Sequence, residues 1–110
     1  MNKLITVAVI DSGIYPHIDF KNRIVAFKDF VNGRKNAYDD CGHGTHVSGI
    51  IAGSGYASHG RIRGICPSAC LAGIKVLDRL GNGRIENVLD AAGWIISHQK
   101  DLNIRVVNIS

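Results

Sequence analysis

The sequence predicts an α/β fold in which a parallel sheet is flanked by helices. LITVAVI (4–10) is a continuous apolar run of mostly β-branched residues, typical of a strand buried on both faces, and 70–77 and 104–110 are predicted to be a second buried strand and a last strand. Helical patterns lie between them, at 45–53 and 84–100. Because strands that alternate with helices form parallel sheets, these 110 residues are expected to form one small domain or part of a larger one.

The first half of the chain contains two strands, a loop and a compact helix. LITVAVI (4–10) is the first buried strand, and RIVAFKDF (23–30) is a shorter second one. NGRKNAYDDCG (32–42) is a turn-rich loop. The next helix, THVSGIIAG (45–53), contains small residues and glycines that exposed helices avoid, so we expect it to be tightly packed.

The second half repeats the alternation. A glycine-rich loop (53–64) leads to the buried strand CLAGIKVL (70–77), and RLGNGR (79–84) is a turn before the clearest helix. The spacing i, i+3, i+4, i+7 predicts a core-facing stripe on that helix. The stripe consists of Ile85, Val88, Leu89, Ala92, Ile95 and Ile96.

Composition argues against several classes of function. The net charge is +4, but the basic residues are scattered, so we do not expect nucleic-acid binding. No stretch approaches the roughly 20 apolar residues of a membrane span, and the N-terminus lacks the features of a signal peptide. The three cysteines form no CxxC pattern, so a disulfide framework is not expected and the predicted location is cytoplasmic.

Asp11 and His43 are the candidates for acid–base chemistry. Asp11 directly follows the first buried strand, and chemistry in parallel sheets gathers at the carboxyl ends of the strands. A histidine that acts as a general base needs a carboxylate to fix its tautomer. Asp11 could instead only cap the following turn, and a lone histidine is more often a surface or packing residue.

The pair His43-Gly-Thr-His46 also invites a metal interpretation. Asp39, Asp40 and Cys41 are further donors nearby. However, HExxH zinc motifs need i, i+4 spacing and a glutamate, and no second cluster of suitable spacing is present. We therefore expect no catalytic metal.

Several blocks resemble the subtilisin-like serine proteases (subtilases, peptidase S8). VAVIDSGIYPHIDF (7–20) and GHGTHVSGIIAG (42–53) are similar to the signatures around the family's catalytic aspartate and histidine. The resemblance continues through 63–96 and VVNIS (106–110), and a finer similarity is to bacterial intracellular members. It implies that residues 1–110 are an incomplete, N-terminal portion of a peptidase catalytic domain with a three-layer fold.

The resemblance assigns expected roles. Asp11 orients the imidazole, and His43 is the general base, whose charged form Asp11 must stabilise against the start of the helix. His46 is a packed or hydrogen-bonded structural residue. Gly81, Asn82 and Gly83 bind an extended peptide or protein substrate, and Ser110 begins a second such segment.

The nucleophilic serine and the oxyanion asparagine of the family have no counterpart in this sequence. None of the seven serines lies in the GTSxA context, so the chain is expected to be inactive alone and to need the C-terminal part of the catalytic domain as its partner. The alternative is a non-catalytic interaction module built on half a protease fold. The strand at 104–109 would be an open apolar edge, which predicts self-association.

Two further positions, Asp19 and Cys41, have weaker assignments. Asp19 matches a position that binds structural calcium in relatives, but the loop that would complete such a site does not match, and Asp19 could be only a turn residue. Cys41 lies two residues before the expected base, which suggests sensitivity to thiol reagents. It could equally be a loop cysteine without a role. Asp39 and Asp40 receive no assignment.

Overall fold

The protein forms a four-stranded parallel sheet. The structure is a computed structural model that describes residues 4–110, so residues 1–3 of the predicted 1–110 portion lie outside the described residues. The strands lie in the order β2-β3-β1-β4, and every neighbouring pair is parallel. Their bounds are β1 Thr6–Asp11, β2 Ile24–Asp29, β3 Cys70–Lys75 and β4 Ile104–Ile109.

Two helices cover opposite faces of this sheet. Helix α1 (His43–Ala52) packs with Val7 and Val9, whereas helix α2 (Ile85–His98) packs with Ala8 and Ile10. Successive residues of a strand point to opposite faces, so β1 supplies both halves of the core and is buried along its whole length. The predicted α/β, three-layer arrangement is therefore confirmed.

The bounds of β1 and α1 differ from the sequence prediction by one or two residues. β1 continues to Asp11, because Asp11 pairs in register with Lys75 of β3. α1 begins at His43 rather than at residue 45, after Gly42 with a φ of 100°. Both differences matter for the site, because they place Asp11 inside the sheet and His43 in the first turn of a helix.

The predicted core-facing stripe of α2 is partly wrong. Ala91 and Ile95 are buried and Val88 is half-buried, but Ile85, Leu89, Ala92 and Ile96 are exposed. The helix has apolar residues on more than one side. Periodicity therefore identified an amphipathic helix without showing which side meets the sheet.

Strand β4 lies at one edge of the sheet, as predicted, and pairs with β1. Ile104 is buried, whereas Val106, Val107 and Ile109 are exposed. No helix within residues 4–110 is long and apolar enough to cross a membrane.

Candidate active site

The carboxyl ends of three neighbouring strands carry charged side chains that are buried. Asp11 of β1 and Asp29 of β2 both pair in register with Lys75, which ends β3 between them. Burying an unpaired charge costs roughly several kcal/mol, so a folded protein keeps a buried charge only where hydrogen-bonding partners compensate this cost. Each of these charges has such partners, and together they organise the loops that meet at this edge.

Asp11 and His43 are brought together at this edge. His43 Nδ1 lies 2.9 Å from each carboxylate oxygen of Asp11, and the backbone N–H of Ser12 donates to Oδ1 at 2.6 Å. An ionised carboxylate only accepts hydrogen bonds, so Nδ1 carries the proton and Nε2 remains available to another group. The side chain of Asp11 is 0% exposed and that of His43 is 55% exposed, so the ring faces solvent while its carboxylate does not.

The pKa of His43 is raised above its ordinary value of 6.5. The hydrogen bond to Asp11 is the main cause, the negative charge of Asp11 is the second, and Asp39 contributes further. A position in the first turn of a helix disfavours a cation. Stabilisation of the charged imidazole by Asp11, which the resemblance implied, would raise the pKa of His43, and that is the direction of its shift.

Two glycines allow α1 to approach the turn after β1. A Cβ atom on Gly44 would lie 2.2 Å from the carbonyl oxygen of Gly13 and 3.2 Å from Cβ of Asp11. A Cβ atom on Gly13, which has a φ of +120°, would lie 2.1 Å from the carbonyl oxygen of Tyr38. Both positions therefore need glycine for the helix to place His43 beside Asp11.

Asp39, which sequence reasoning left unassigned, holds the start of α1. Its Oδ1 accepts hydrogen bonds from Ser12 Oγ at 2.8 Å and from the N–H groups of Cys41 and Gly42. Its Oδ2 accepts from both the N–H and the hydroxyl of Thr45. Burial alone would raise the pKa of Asp39, but these hydrogen bonds outweigh it and hold the pKa below 3.8.

Ser12 completes this connection, because its Oγ accepts from the N–H of Gly44 at 2.9 Å. The turn after Asp11 and the first turn of α1 are thus joined by side chains as well as by the Asp11–His43 contact. A signal for Asp39 was present in the sequence: an acid followed closely by a helix is a common N-terminal cap. Asp39, however, lies three residues before Gly42, the residue at the usual capping position, so the local pattern alone did not identify it as the cap.

Asp40 also has a partner, the ammonium of Lys75 at 2.7 Å. Lys75 is the single charged residue in the apolar run 70–77, and a buried lysine requires an anionic or carbonyl partner. That requirement was visible in the sequence. The identity of the partner was not, because 35 residues separate the two.

Asp29 organises the loop that leads to Asp39. Its carboxylate accepts from backbone N–H groups within 31–34 and from the hydroxyl of Tyr38. Burial alone would raise the pKa of Asp29, but these hydrogen bonds outweigh it, that of Tyr38 foremost, and lower the pKa. The carbonyl of Tyr38 in turn accepts from the N–H of Ile14, which fastens this loop to the turn after β1.

The predicted substrate-binding residues lie at the same edge of the sheet as the Asp11–His43 pair, and the carbonyl of Asp11 accepts from the N–H groups of Val76 and Leu77 in the segment that leads to them. Gly81, Asn82 and Gly83 form a turn in which Asp78 caps the chain, and Gly83 forms an antiparallel bridge with Leu77. Asn82 and Gly83 line an open cavity of about 530 Å³, which the segments after β2 and β3 and the start of α2 enclose. Ser110 follows Ile109, which pairs with Ile10, and its hydroxyl donates to Asn108.

Asp19 ties a loop rather than forming a cluster of acidic ligands. Its Oδ1 accepts from the N–H of Ala57 at 2.8 Å, and its carbonyl accepts from the N–H of Ser54. Within residues 4–110 no group of three or more His, Cys, Asp or Glu side chains could hold a metal ion. Calcium prefers six to eight oxygen ligands, so Asp19 alone does not fit such a site, and calcium binding there stays a prediction.

The expectation for His46 is wrong in part. His46 is exposed and lines a cavity of about 430 Å³ beside α1, so within the described part of the chain it is not a packed residue. It lies one turn beyond His43 on the helix, and the imidazole bonded to Asp11 is that of His43. Cys41 is exposed, and its thiol sensitivity stays a prediction.

Comparison with known proteins agrees with this geometry. Residues 2–110 match the family described as the Subtilase family, peptidase S8. The chain is 46% identical to the serine protease AprX of Bacillus subtilis over 90% of its length, and 40% identical to subtilisin E of the same organism over 96%. A crystal structure of a cold-adapted subtilisin-like serine proteinase superposes with a TM-score of 0.73 and 34% identity over 84% of this chain.

The chain spans only part of each relative. It covers 22% of AprX, 26% of subtilisin E and 32% of the cold-adapted proteinase. The match nevertheless extends along nearly the whole of the present sequence and includes both the sheet and the loops around Asp11 and His43. The chain therefore belongs to the subtilase family of serine proteases.

Proposed function

We propose that this chain supplies the aspartate and the histidine of an Asp-His-Ser triad in a serine endopeptidase, with Asp11 orienting the imidazole and His43 acting as the general base. The observation that carries the proposal is the contact of His43 Nδ1 with both oxygens of a buried carboxylate, at 2.9 Å, while the ring remains open to solvent. Family membership supports the peptidase over a non-catalytic interaction module.

The geometry suits proton transfer at Nε2. Asp11 holds the Nδ1 proton, so Nε2 presents its lone pair to a hydroxyl group. As a serine oxygen attacked a peptide carbonyl, Nε2 would accept the hydroxyl proton and then donate it to the leaving amine. Asp11 would stabilise the imidazolium formed in between, in keeping with the raised pKa of His43.

The serine itself would come from outside these 110 residues. Ser12, the nearest serine in sequence to Asp11, is buried and already bonded to Asp39 and Gly44. Hydrogen bonds to the His43 ring within residues 4–110 involve Nδ1 and Asp11. We therefore propose that the chain does not hydrolyse peptides alone and acts with the C-terminal part of a catalytic domain.

The substrate would be an extended peptide beside Gly81, Asn82 and Gly83. This turn lies at the carboxyl ends of the strands and borders the open cavity beside the start of α2. Extended peptides bind to an exposed, strand-like segment through backbone hydrogen bonds, with their side chains in adjacent pockets, and the 81–83 segment would serve as that strand. Ser110 would begin the facing segment.

Fluorophosphonate labelling and casein hydrolysis test the proposal. The 110-residue chain should show neither, whereas a chain extended through a GTSxA segment should show both. In the extended chain, Asp11→Ala and His43→Ala should abolish hydrolysis, while Asp90→Ala on the exposed face of α2 serves as the control. Labelling of the short chain would overturn the proposal that the nucleophile lies elsewhere.

A further inference from the structure

The ammonium of Lys75 uses all three of its hydrogen-bond donors on three different segments. Nζ donates to the carbonyl of Ser12, to Oδ1 of Asp40 and to the carbonyl of Leu77, each at 2.7 Å. The side chain of Lys75 is 0% exposed. It also lies over the ring of Tyr38, 5.2 Å from the ring centroid. A lysine ammonium has three donors, so this one is fully satisfied without water.

Each acceptor belongs to a segment that carries a proposed functional group. Ser12 follows Asp11 in the chain, and Asp40 lies three residues before His43. Leu77 pairs with Gly83 of the proposed substrate-binding turn. One buried ammonium therefore joins the segments that carry Asp11, His43 and the proposed substrate-binding turn.

This junction resists displacement for an electrostatic reason. If any one segment moved away, the buried cation would lose an oxygen partner and remain desolvated, which is costly. The Asp40 carboxylate is also the one formal counter-charge in hydrogen-bond contact with the ammonium within the described residues. Loss of the Asp40 oxygen should therefore loosen the Lys75 junction, whereas a neutral side chain that keeps an oxygen at this position should preserve it.

We propose that Lys75, anchored by Asp40, is a positioning residue that holds Asp11, His43 and the Gly81–Gly83 turn in their mutual arrangement. The hydrogen bonds of Lys75 go to Ser12, Asp40 and Leu77, so it acts through these segments rather than on the reacting atoms. The functional meaning of this positioning role rests on the proposed triad. The structural consequence, which is that Lys75 fixes the Asp11–His43 contact, can be tested without the triad.

The test compares Asp40→Ala with Asp40→Asn in this chain by NMR of the His43 ring. Both variants remove the charge, but asparagine keeps an oxygen that can accept from Lys75. Positioning predicts that Asp40→Ala loses the protected Nδ1 proton resonance of the His43–Asp11 hydrogen bond, whereas Asp40→Asn keeps it. Asp90→Ala and Asp90→Asn, on the exposed face of α2, are the matched controls and should leave the resonance unchanged.

Lys75→Met gives a second test, because the loss of charge and the loss of positioning should shift the pKa of His43 in opposite directions. Removing a cation near the pair would by electrostatics alone raise the pKa of His43 further. Loss of positioning would instead return the pKa toward 6.5, because the Asp11 contact is the main cause of its elevation. Lys100→Met, an exposed lysine at the end of α2, controls for the loss of one positive charge.

The proposal is overturned if the two Asp40 variants behave alike, or if the pKa of His43 rises in folded Lys75→Met. Asp40 is only partly buried, with 36% of its side chain exposed, so its variants decide the matter even where Lys75→Met does not fold. Neither readout requires peptidase activity. A failed labelling assay and a failed positioning test therefore remain distinct results.

Discussion

Gly44→Ala is expected to separate His43 from Asp11 without changing any polar group. The added Cβ would lie 2.2 Å from the carbonyl oxygen of Gly13, whereas such contacts are essentially never shorter than 3.0 Å. The start of α1 or the Gly13 turn must then move by about 0.8 Å, which would lengthen the 2.9 Å Nδ1–Oδ contact by up to that amount, to about 3.7 Å at most, and so weaken or break the hydrogen bond. Overpacking against backbone should also lower the free energy of unfolding by roughly 1–3 kcal/mol.

The assay is urea unfolding together with NMR titration of the His43 ring. In Gly44→Ala the pKa of His43 should fall back toward 6.5, since the hydrogen bond to Asp11 is the main cause of its elevation. Gly49→Ala is the matched control on the same helix, because a Cβ there meets nothing within 4 Å. It should raise stability by about 0.5–1 kcal/mol, as alanine loses less backbone entropy than glycine. An unchanged His43 pKa in folded Gly44→Ala would refute the argument that close approach sets the contact.

Three further outcomes are expected. Because the pKa of His43 is raised by folding, its contribution to stability is complete below pH 6.5 and is lost as the pH rises through the raised value. Urea unfolding across this range should show that loss in the original chain and a flat profile in Asp11→Asn. Asp39→Ala should lower the free energy of unfolding at pH 7 by about 1 kcal/mol through loss of the helix cap. Since the pKa of Asp39 is lowered by folding, the same variant should also reduce the loss of stability as the pH falls below 3.8, measured by acid titration of circular dichroism. We also expect concentration-dependent association through β4, and Val107→Lys on this exposed edge strand should reduce it in sedimentation velocity; a parent chain that stays monomeric at high concentration would contradict this.

The local sequence pattern was sufficient to predict those features that depend on a single segment of the chain. The four strands, the two helices and the position of Asp11 at a strand end all follow from runs of apolar residues and from their boundaries. The family resemblance then indicated His43 as the partner of Asp11. The buried side of α2 was less predictable, because that helix is apolar on more than one side and only the sheet determines which side packs.

The sequence by itself thus determined the α/β class, the family and the two residues of the proposed acid–base pair. The tertiary structure alone revealed the supports of that pair: Asp39 and Ser12 at the start of α1, and the Asp40–Lys75 ion pair beneath it. The reason is physical. Periodicity reports which face of a segment is apolar, whereas a buried charge is stabilised by whichever oxygen the fold brings within hydrogen-bonding distance, and here that oxygen lies 35 residues away in the chain.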